Sequence, residues 1–461
     1  MLQYRRQSRV AASSSEVFEW HVRAGALERL TPPWSRVRVI ARSGRSLDAG
    51  TRVILRVPIG PFGMRWVAEH GPCVPGRSFR DRQIAGPFAA WEHEHRFEPL
   101  AAGESMLVDD VRYALPGGWC SIPARPSARR ELDRLFTYRQ RVTAVDMGWH
   151  RRYGGRPMKV AVTGATGLIG SALVPFLRSG GHEAVVLRRV PAGRDAAGGD
   201  PSWDPATGAL SAGALDGVDA VVHLAGENIA GGRWTAARKA RIRDSRVDGT
   251  RRLAQALAGL PRPPQTLVAA SAVGFYGDRG DESLDESSAP GGGFLPEVCQ
   301  AWEDAAAPAG EAGLRVVHLR IGIVLTPAGG ALGQMLFPFR MGVGGVIGSG
   351  RQYMSWVALD DVLGGILHAL CTDGLSGAVN MVAPNPVSNA EFTKTLGRVL
   401  RRPTIIPVPA FGARLAFGEM ADALLLASSR VHPARLRDGG FAFGYPNLED
   451  ALRHVLGRPK S

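Results

Sequence analysis

Lys159-Val160-Ala161-Val162-Thr163-Gly164-Ala165-Thr166-Gly167-Leu168-Ile169-Gly170 is the stretch around which the chain is organised. A short apolar strand pattern runs into Gly-x-x-Gly-x-x-Gly, and Ser171-Ala-Leu-Val-Pro-Phe-Leu-Arg178 continues with helical spacing. A strand, a glycine turn and a helix in that order can hold a dinucleotide pyrophosphate. Gly164 permits the tight turn, Gly167 lets backbone approach the phosphates, and Gly170 lets the helix pack closely on the strand. The helix N-terminus then offers unpaired N–H groups to the anion. Taken alone the loop also reads as a plain glycine-rich turn; the matches further along the chain favour a cofactor.

Strands and helices alternate after the breakers Gly154-Gly155-Arg156-Pro157. A second strand pattern covers Glu183 to Val190, interrupted at Leu187-Arg188-Arg189. Ala220 to Gly226, Thr266 to Ser271 and Arg315 to Arg320 read as buried strands, with helical stretches over Trp234–Leu260 and from about Pro296. This alternation predicts an α/β domain with a doubly wound parallel sheet. The acidic, glycine-rich segment Asp278 to Gly293 reads as a mobile loop near the site. The chain is helix-rich beyond Ile406-Pro407-Val408-Pro409.

The first third differs. Arg5–Val10, Val37–Ile40, Thr51–Val57, Met64–Glu69, Ser78–Ile84, Ala90–Phe97 and Ser105–Leu115 are strand-like. Ser13-Ser14-Ser15-Glu16 resembles a helix start, and a long helix pattern covers Arg129 to Arg151. Antiparallel strands closed by one long helix predict an α+β sheet wrapped around that helix, with a cavity between. His93 and His95 fall on one face of a strand, as two zinc ligands would. With no third ligand in view they are expected to be solvent-facing or core-edge histidines, and no metal is expected.

With 461 residues, 45% hydrophobic and 21% charged, the chain has the composition of a multi-domain globular protein. No apolar run spans a bilayer and the start is no signal peptide, so a cytoplasmic protein without a membrane partner is expected. Cys73, Cys120, Cys299 and Cys371 lie far apart, which fits a reducing compartment. Residues 1–156 hold 26 Arg and no Lys against 15 Asp+Glu (+11), and the remainder holds 30 Lys+Arg against 27 Asp+Glu (+3), making the total of +14. The excess is scattered rather than striped, so no nucleic-acid partner is expected.

Several motifs carry resemblances. Ser15-Glu16-Val17-Phe18-Glu19-Trp20-His21, Gly86-Pro87-Phe88 with Trp91-Glu92-His93, and Met106 through Pro116 resemble the START-like (SRPBCC, polyketide cyclase/dehydrase-like) superfamily. That resemblance implies a helix-grip fold with a pocket for an apolar ligand, and assigns no chemistry. Residues 158–461 resemble the epimerase-like branch of the extended short-chain dehydrogenases/reductases. The motifs are Thr163–Gly170, Leu224-Ala225-Gly226-Glu227-Asn228-Ile229, Ser245-Arg246, Ser271-Ala-Val-Gly-Phe-Tyr-Gly277, Trp302-Glu303, Arg320-Ile-Gly-Ile-Val-Leu325, Gly348-Ser-Gly350 and Ser355-Trp356. The expected domains are a START-like module over 1–155, a Rossmann-type module over 158–405 and a small helical domain over 406–461.

The cofactor-binding residues expected on this reading are Thr163, Gly164, Thr166, Gly167, Leu168, Ile169, Gly170, Arg188, Arg189, Leu224, Ala225, Gly226 and Arg246. In NAD-preferring sites an acid roughly twenty residues past the loop binds the ribose 2′-hydroxyl. Arg188-Arg189 stands there instead, and guanidinium forks onto a 2′-phosphate, so NADP(H) is expected over NAD(H). For chemistry, the resemblance implies that Ser271 polarises a substrate carbonyl. The usual Tyr-x-x-x-Lys pair is missing, because the helix reads Leu295-Pro-Glu-Val-Cys299. Tyr276 is the candidate substitute, with packing in the turn as its competing role, and Glu303 is a further acid or base. An oxidoreductase acting on a small-molecule carbonyl or hydroxyl substrate, a nucleotide-sugar epimerase and a dinucleotide-binding sensor or scaffold all stay open. Family resemblance permits a dimer.

Overall fold

A computed structural model describes residues 1–44, 47–60, 62–153, 155–190 and 201–459. Gly154, the first of the boundary breakers, lies outside the described residues. The chain forms two compact units: Met1–Arg156 with Pro175–His182 and His454–Ser461, and Pro157–Val174 with Glu183–Arg453. The stretch expected as a small closing domain therefore belongs to the second unit as far as Arg453.

In the first unit, β1 (Leu2–Val10), β2 (Arg38–Arg42), β3 (Arg52–Ile59), β4 (Phe62–Val74), β5 (Ser78–Ala85), β6 (Ala90–Ala101) and β7 (Glu104–Ala114) form one sheet. Its order is β1-β7-β6-β5-β4-β3-β2, antiparallel at every pairing. Helix α1 (Ser14–Val22) starts where the Ser-rich signal placed it: Ser13 and Glu16 form a reciprocal capping box. A short α2 (Ala26–Arg29) follows, and α3 spans Arg125–Tyr153. The long helix begins four residues earlier than its apolar periodicity, because Pro126 is tolerated in a first helical turn. Two apolar clusters fill the interior, one with Phe18, Trp20, Phe79, Phe97 and Tyr138, the other with Tyr4, Trp91, Val111 and Phe136.

Trp91, His93, His95 and Phe97 alternate along β6 and are all buried. On β7 the inward positions are Ser105, Leu107, Asp109, Val111 and Tyr113. His93 and His95 therefore face the interior; of the two placements expected, solvent-facing or core-edge, the solvent-facing one does not hold. Strand periodicity names the shared face of two residues, but cross-strand pairing decides which face is covered.

The second unit opens with β8 (Lys159–Thr163) and the first half, to Val174, of α4 (Gly170–Ser179), followed by β9 (Glu183–Val186) and the short pair β10 (Arg188–Arg189) and β11 (Ser202–Trp203). Next come β12 (Ala220–His223), α5 (Ala236–Ala258), β13 (Thr266–Ala272), β14 (Ser283–Leu284), α6 (Phe294–Asp304) and β15 (Arg315–Ile321). The main sheet is six-stranded and parallel, in the order Gly377–Met381, β15, β13, β12, β8, β9. Chain order reverses direction between β8 and β12, and in such sheets the ligand crevice lies outside the carboxyl ends of the strands at this switch.

The segment from Asp278 to Gly293, expected to be mobile, is instead pinned. Its β14 pairs with Arg430–Val431, Leu284 is fully buried, and the Ser428 N–H donates to Asp278 Oδ1 at 3.0 Å. The partner strand lies far away in sequence, so local composition carried no sign of it. Among the described residues no helix is long and apolar enough to cross a membrane.

Candidate functional site

The glycine loop sits at the sheet's switch point, and each glycine has a measurable reason. Gly164 has φ +67°, and a Cβ there would stand 2.7 Å from the Leu224 carbonyl, which leaves no room for any other residue. At Gly170 a Cβ would press on the Gly164 carbonyl and stand 2.7 Å from the Ala165 Cα. Thr166 and Gly167 form the exposed crest. Ile169 begins the helical turn, its carbonyl accepting from Leu173 N–H at 2.9 Å. Leu168 lies beside Gly329 and Gly330, where an added Cβ would meet it at 3.2 Å.

Thr163 is buried beneath the loop. Its Oγ1 lies 2.7 Å from His223 Nδ1, and His223 Nε2 lies 3.0 Å from Thr250 Oγ1. Trp302 Nε1 donates to the same Thr250 hydroxyl at 2.9 Å. Burial lowers the His223 pKa to about 4, so the ring is neutral and braces three elements.

Leu224, Ala225 and Gly226 follow β12 across from the loop, and Arg246 on α5 reaches them. A Cβ on Gly226 would stand 3.6 Å from the Arg246 guanidinium carbon, which lies 5.0 Å over the Trp302 ring. Arg188 and Arg189 are exposed on β10, directly after β9. The glycines, Leu224–Gly226 and Arg246 therefore gather at the switch point, with the two arginines on the strand beyond β9.

A second constellation lies at the carboxyl end of β13. Ser271 Oγ donates to Glu303 Oε1 at 2.6 Å. Arg320, from β15, forks onto that carboxylate: Nε donates to Oε1 and Nη2 to Oε2, both at 2.8 Å. Its Nη1 donates to the Tyr276 hydroxyl at 3.0 Å, and that hydroxyl donates to Asn380 Oδ1 at 2.8 Å. The Arg320 guanidinium also stacks 3.4 Å from the Phe275 ring centroid. Burial opposes charge on Arg320, but the bonds to Glu303 outweigh it and raise its pKa. Tyr276 is fully buried, and burial raises its pKa despite Arg320.

The α6 positions that would carry Tyr and Lys hold Leu295 and Cys299, which pack against the turn at Gly274. Burial, with the nearby Glu303 charge, pushes the Cys299 thiol up to about 12, so it stays protonated. The sequence reading did not couple Arg320 and Asn380 to Ser271. A signal was present: an arginine inside the apolar strand Arg315–Ile321 must find a buried partner.

The N-terminal unit has a separate polar cluster. His93 lies 3.4 Å from Asp81 and 3.3 Å from Asp109, and His95 lies 3.0 Å from Asp109. Burial works against charge on His93, yet Asp109 and Asp81 lift its pKa to about 9. Burial and the His93 charge hold His95 at about 4.

The epimerase family protein Mb2239 of Mycobacterium bovis is 44% identical over 301 residues, 65% of this chain and 98% of that protein. The chain belongs to the epimerase family. Its profile, described as the NAD dependent epimerase/dehydratase family, matches residues 160–381. A profile described as polyketide cyclase/dehydrase and lipid transport matches residues 10–135, and a domain of unknown function matches 408–455. Among solved structures of the epimerase family, human SDR39U1 (isoform2) with NADPH shares 37% identity and a TM-score of 0.59, over 65% of this chain and 99% of that one. The nucleoside-diphosphate sugar epimerase from Corynebacterium glutamicum shares 35% identity and a TM-score of 0.80, over 98% of this chain and 90% of that one. The START-like and Rossmann-type folds expected from sequence are both present.

Proposed function

We propose that the Rossmann unit binds NADP(H) and catalyses hydride transfer on a small carbonyl or hydroxyl substrate, with Ser271 and Glu303 moving the proton. The glycine cradle supports dinucleotide binding, because at Gly164 and Gly170 the loop lies too close to neighbouring backbone for any side chain. Gly164, Gly167 and Gly170 with the start of α4 would hold the pyrophosphate, and Leu224–Gly226 and Arg246 would border it. The exposed Arg188 and Arg189 support the 2′-phosphate preference, as does the NADPH in the human relative's structure. When bound, the nicotinamide gives or takes a hydride.

The observation that carries the chemistry is the 2.6 Å hydrogen bond from Ser271 to Glu303 at the carboxyl end of β13. In the oxidising direction the substrate hydroxyl passes its proton to Ser271 Oγ as Ser271 passes its own to Glu303. Reduction runs the same path backwards. Arg320 holds the carboxylate in place and compensates its charge. Tyr276, with its hydroxyl committed to Arg320 and Asn380, is a positioning residue on this reading rather than the proton donor.

A second reading has one observation in its favour. The Arg320 fork engages both Glu303 oxygens, which also suits a structural lock in a dinucleotide-binding scaffold. The decisive experiment follows NADPH consumption against a panel of carbonyl compounds and nucleoside-diphosphate sugars, alongside NADPH titration, for the wild type, Ser271→Ala and Glu303→Gln. Turnover lost in both variants with NADPH binding intact supports the oxidoreductase. Sugar epimerisation without net NADPH loss transfers the reading to an epimerase. Tight NADPH binding with no turnover on any compound leaves the scaffold. For the N-terminal unit we propose an apolar ligand, supported by its aromatic-rich interior and by the family profile over residues 10–135.

A further inference from the structure

Among the described residues, four polar side chains gather in the interior of the N-terminal sheet. Asp81, His93, His95 and Asp109 come from three adjacent strands, in the cross-strand pairs Asp81 with His93 and His95 with Asp109. His93, His95 and Asp109 are 3%, 7% and 2% exposed. One ligand atom from each of Asp81, His93 and His95 lies within 4.8 Å of the other two.

His95 supplies the second observation. Its Nδ1 is buried and has no hydrogen-bond partner, although Asp109 Oδ1 stands only 3.0 Å away. The two atoms are close but not aligned, and a buried imidazole nitrogen left unpaired is costly unless something else engages the ring. The 3.4 Å separation of Asp81 and His93 Nδ1 is also what two ligands on one small ion require. Bond lengths of about 2.0–2.2 Å in tetrahedral geometry place ligand atoms roughly 3.3 Å apart.

From this convergence we infer that Asp81, His93 and His95 form a binding site for a divalent transition-metal ion of the zinc class. His93 Nδ1 faces Asp81, and its Nε2 faces Asp109. An ion between Asp81 and His93 Nδ1 leaves the Nε2 proton for Asp109, the carboxylate–histidine–metal arrangement that fixes ligand orientation. Asp109 is itself anchored, since Gln140 Nε2 from α3 donates to its Oδ2 at 3.0 Å. Imidazole and carboxylate ligands suit zinc and its neighbours over calcium or magnesium. Three protein ligands leave one coordination position open. The inference stands apart from the dinucleotide reading, because every residue belongs to the N-terminal unit.

The test uses the full-length chain, stripped with a chelator and titrated with Zn²⁺ by calorimetry and with Co²⁺ by visible absorption. The expected result is one ion per chain, with the intense bands of low-coordinate Co²⁺. Asp81→Asn, at the most exposed of the four positions, should abolish stoichiometric binding while the metal-free melting curve stays that of a folded protein. Asp109→Asn should weaken binding roughly 10–100-fold without abolishing it. Wild-type protein that takes up no stoichiometric ion overturns the inference. So does binding that survives unchanged in both Asp81→Asn and His95→Gln. Because the wild-type titration is decisive alone, variants that fail to fold do not rescue the idea.

Discussion

Glu303 and Arg320 meet through two parallel 2.8 Å hydrogen bonds, from the last turn of α6 to the sixth residue of β15, with side chains only 12% and 6% exposed. A pair so placed fixes the α6 helix against the sheet and presents the carboxylate to Ser271. Removing one member of a buried pair strands the other's charge. Arg320→Met is therefore expected to destabilise the protein by about 3–5 kcal/mol in urea unfolding. Glu303→Gln strands the Arg320 charge in the same way and turns an amide donor toward a guanidinium donor, so a loss of similar size is expected. A loss of under about 1 kcal/mol in both variants would mean that the stranded charge is not what the pair compensates.

Gly164→Ala tests the loop. The left-handed φ of +67° and the 2.7 Å approach to Leu224 both oppose a methyl group. Unfolding stability should fall by about 1–3 kcal/mol, with NADPH fluorescence titration showing weakened or absent binding. Gly167→Ala, at the exposed crest with its methyl 3.1 Å from the Gly164 carbonyl oxygen and no left-handed φ, should cost less, about 0.5–1 kcal/mol. Its loss of NADPH affinity would then report the ligand's approach rather than the fold.

Arg188→Glu puts a carboxylate beside the expected 2′-phosphate. NADPH binding should weaken about tenfold or more while NADH binding changes little or improves, because repulsion acts only on the nucleotide bearing the extra phosphate. Equal effects on both nucleotides would remove Arg188 from the phosphate site and leave Arg189 to be tested.

Acid sensitivity follows from His223. Its folded pKa of about 4 lies below the ordinary value near 6.5, so the unfolded chain binds the extra proton between those limits. Stability contributed by the neutral ring is complete above about pH 6.5 and is lost as pH falls toward 4, at a slope of up to about 1.4 kcal/mol per pH unit. His318, also lowered by burial, adds in the same direction. Urea midpoints measured across this range should fall with pH, and more shallowly in His223→Gln. An unchanged slope in that variant would show that other groups carry the acid response.

Periodicity and glycine spacing determined the two folds, since both follow from local rules that a linear chain displays. The apolar run Lys159–Thr163 and the three glycines dictated the strand, turn and helix, and Ser13 with Glu16 marked the start of α1 by the donors and acceptors they offer. Tertiary structure alone decided how distant polar residues combine. Glu303, Arg320 and Asn380 converge on Ser271 and Tyr276 because parallel strands bring residues far apart in sequence to one end of a sheet. His93 and His95 looked unaccompanied because Asp81 and Asp109 lie on neighbouring strands, where only the antiparallel register sets them opposite. Buried charge must be compensated by whatever the fold brings near, and that partner is chosen in space rather than along the chain.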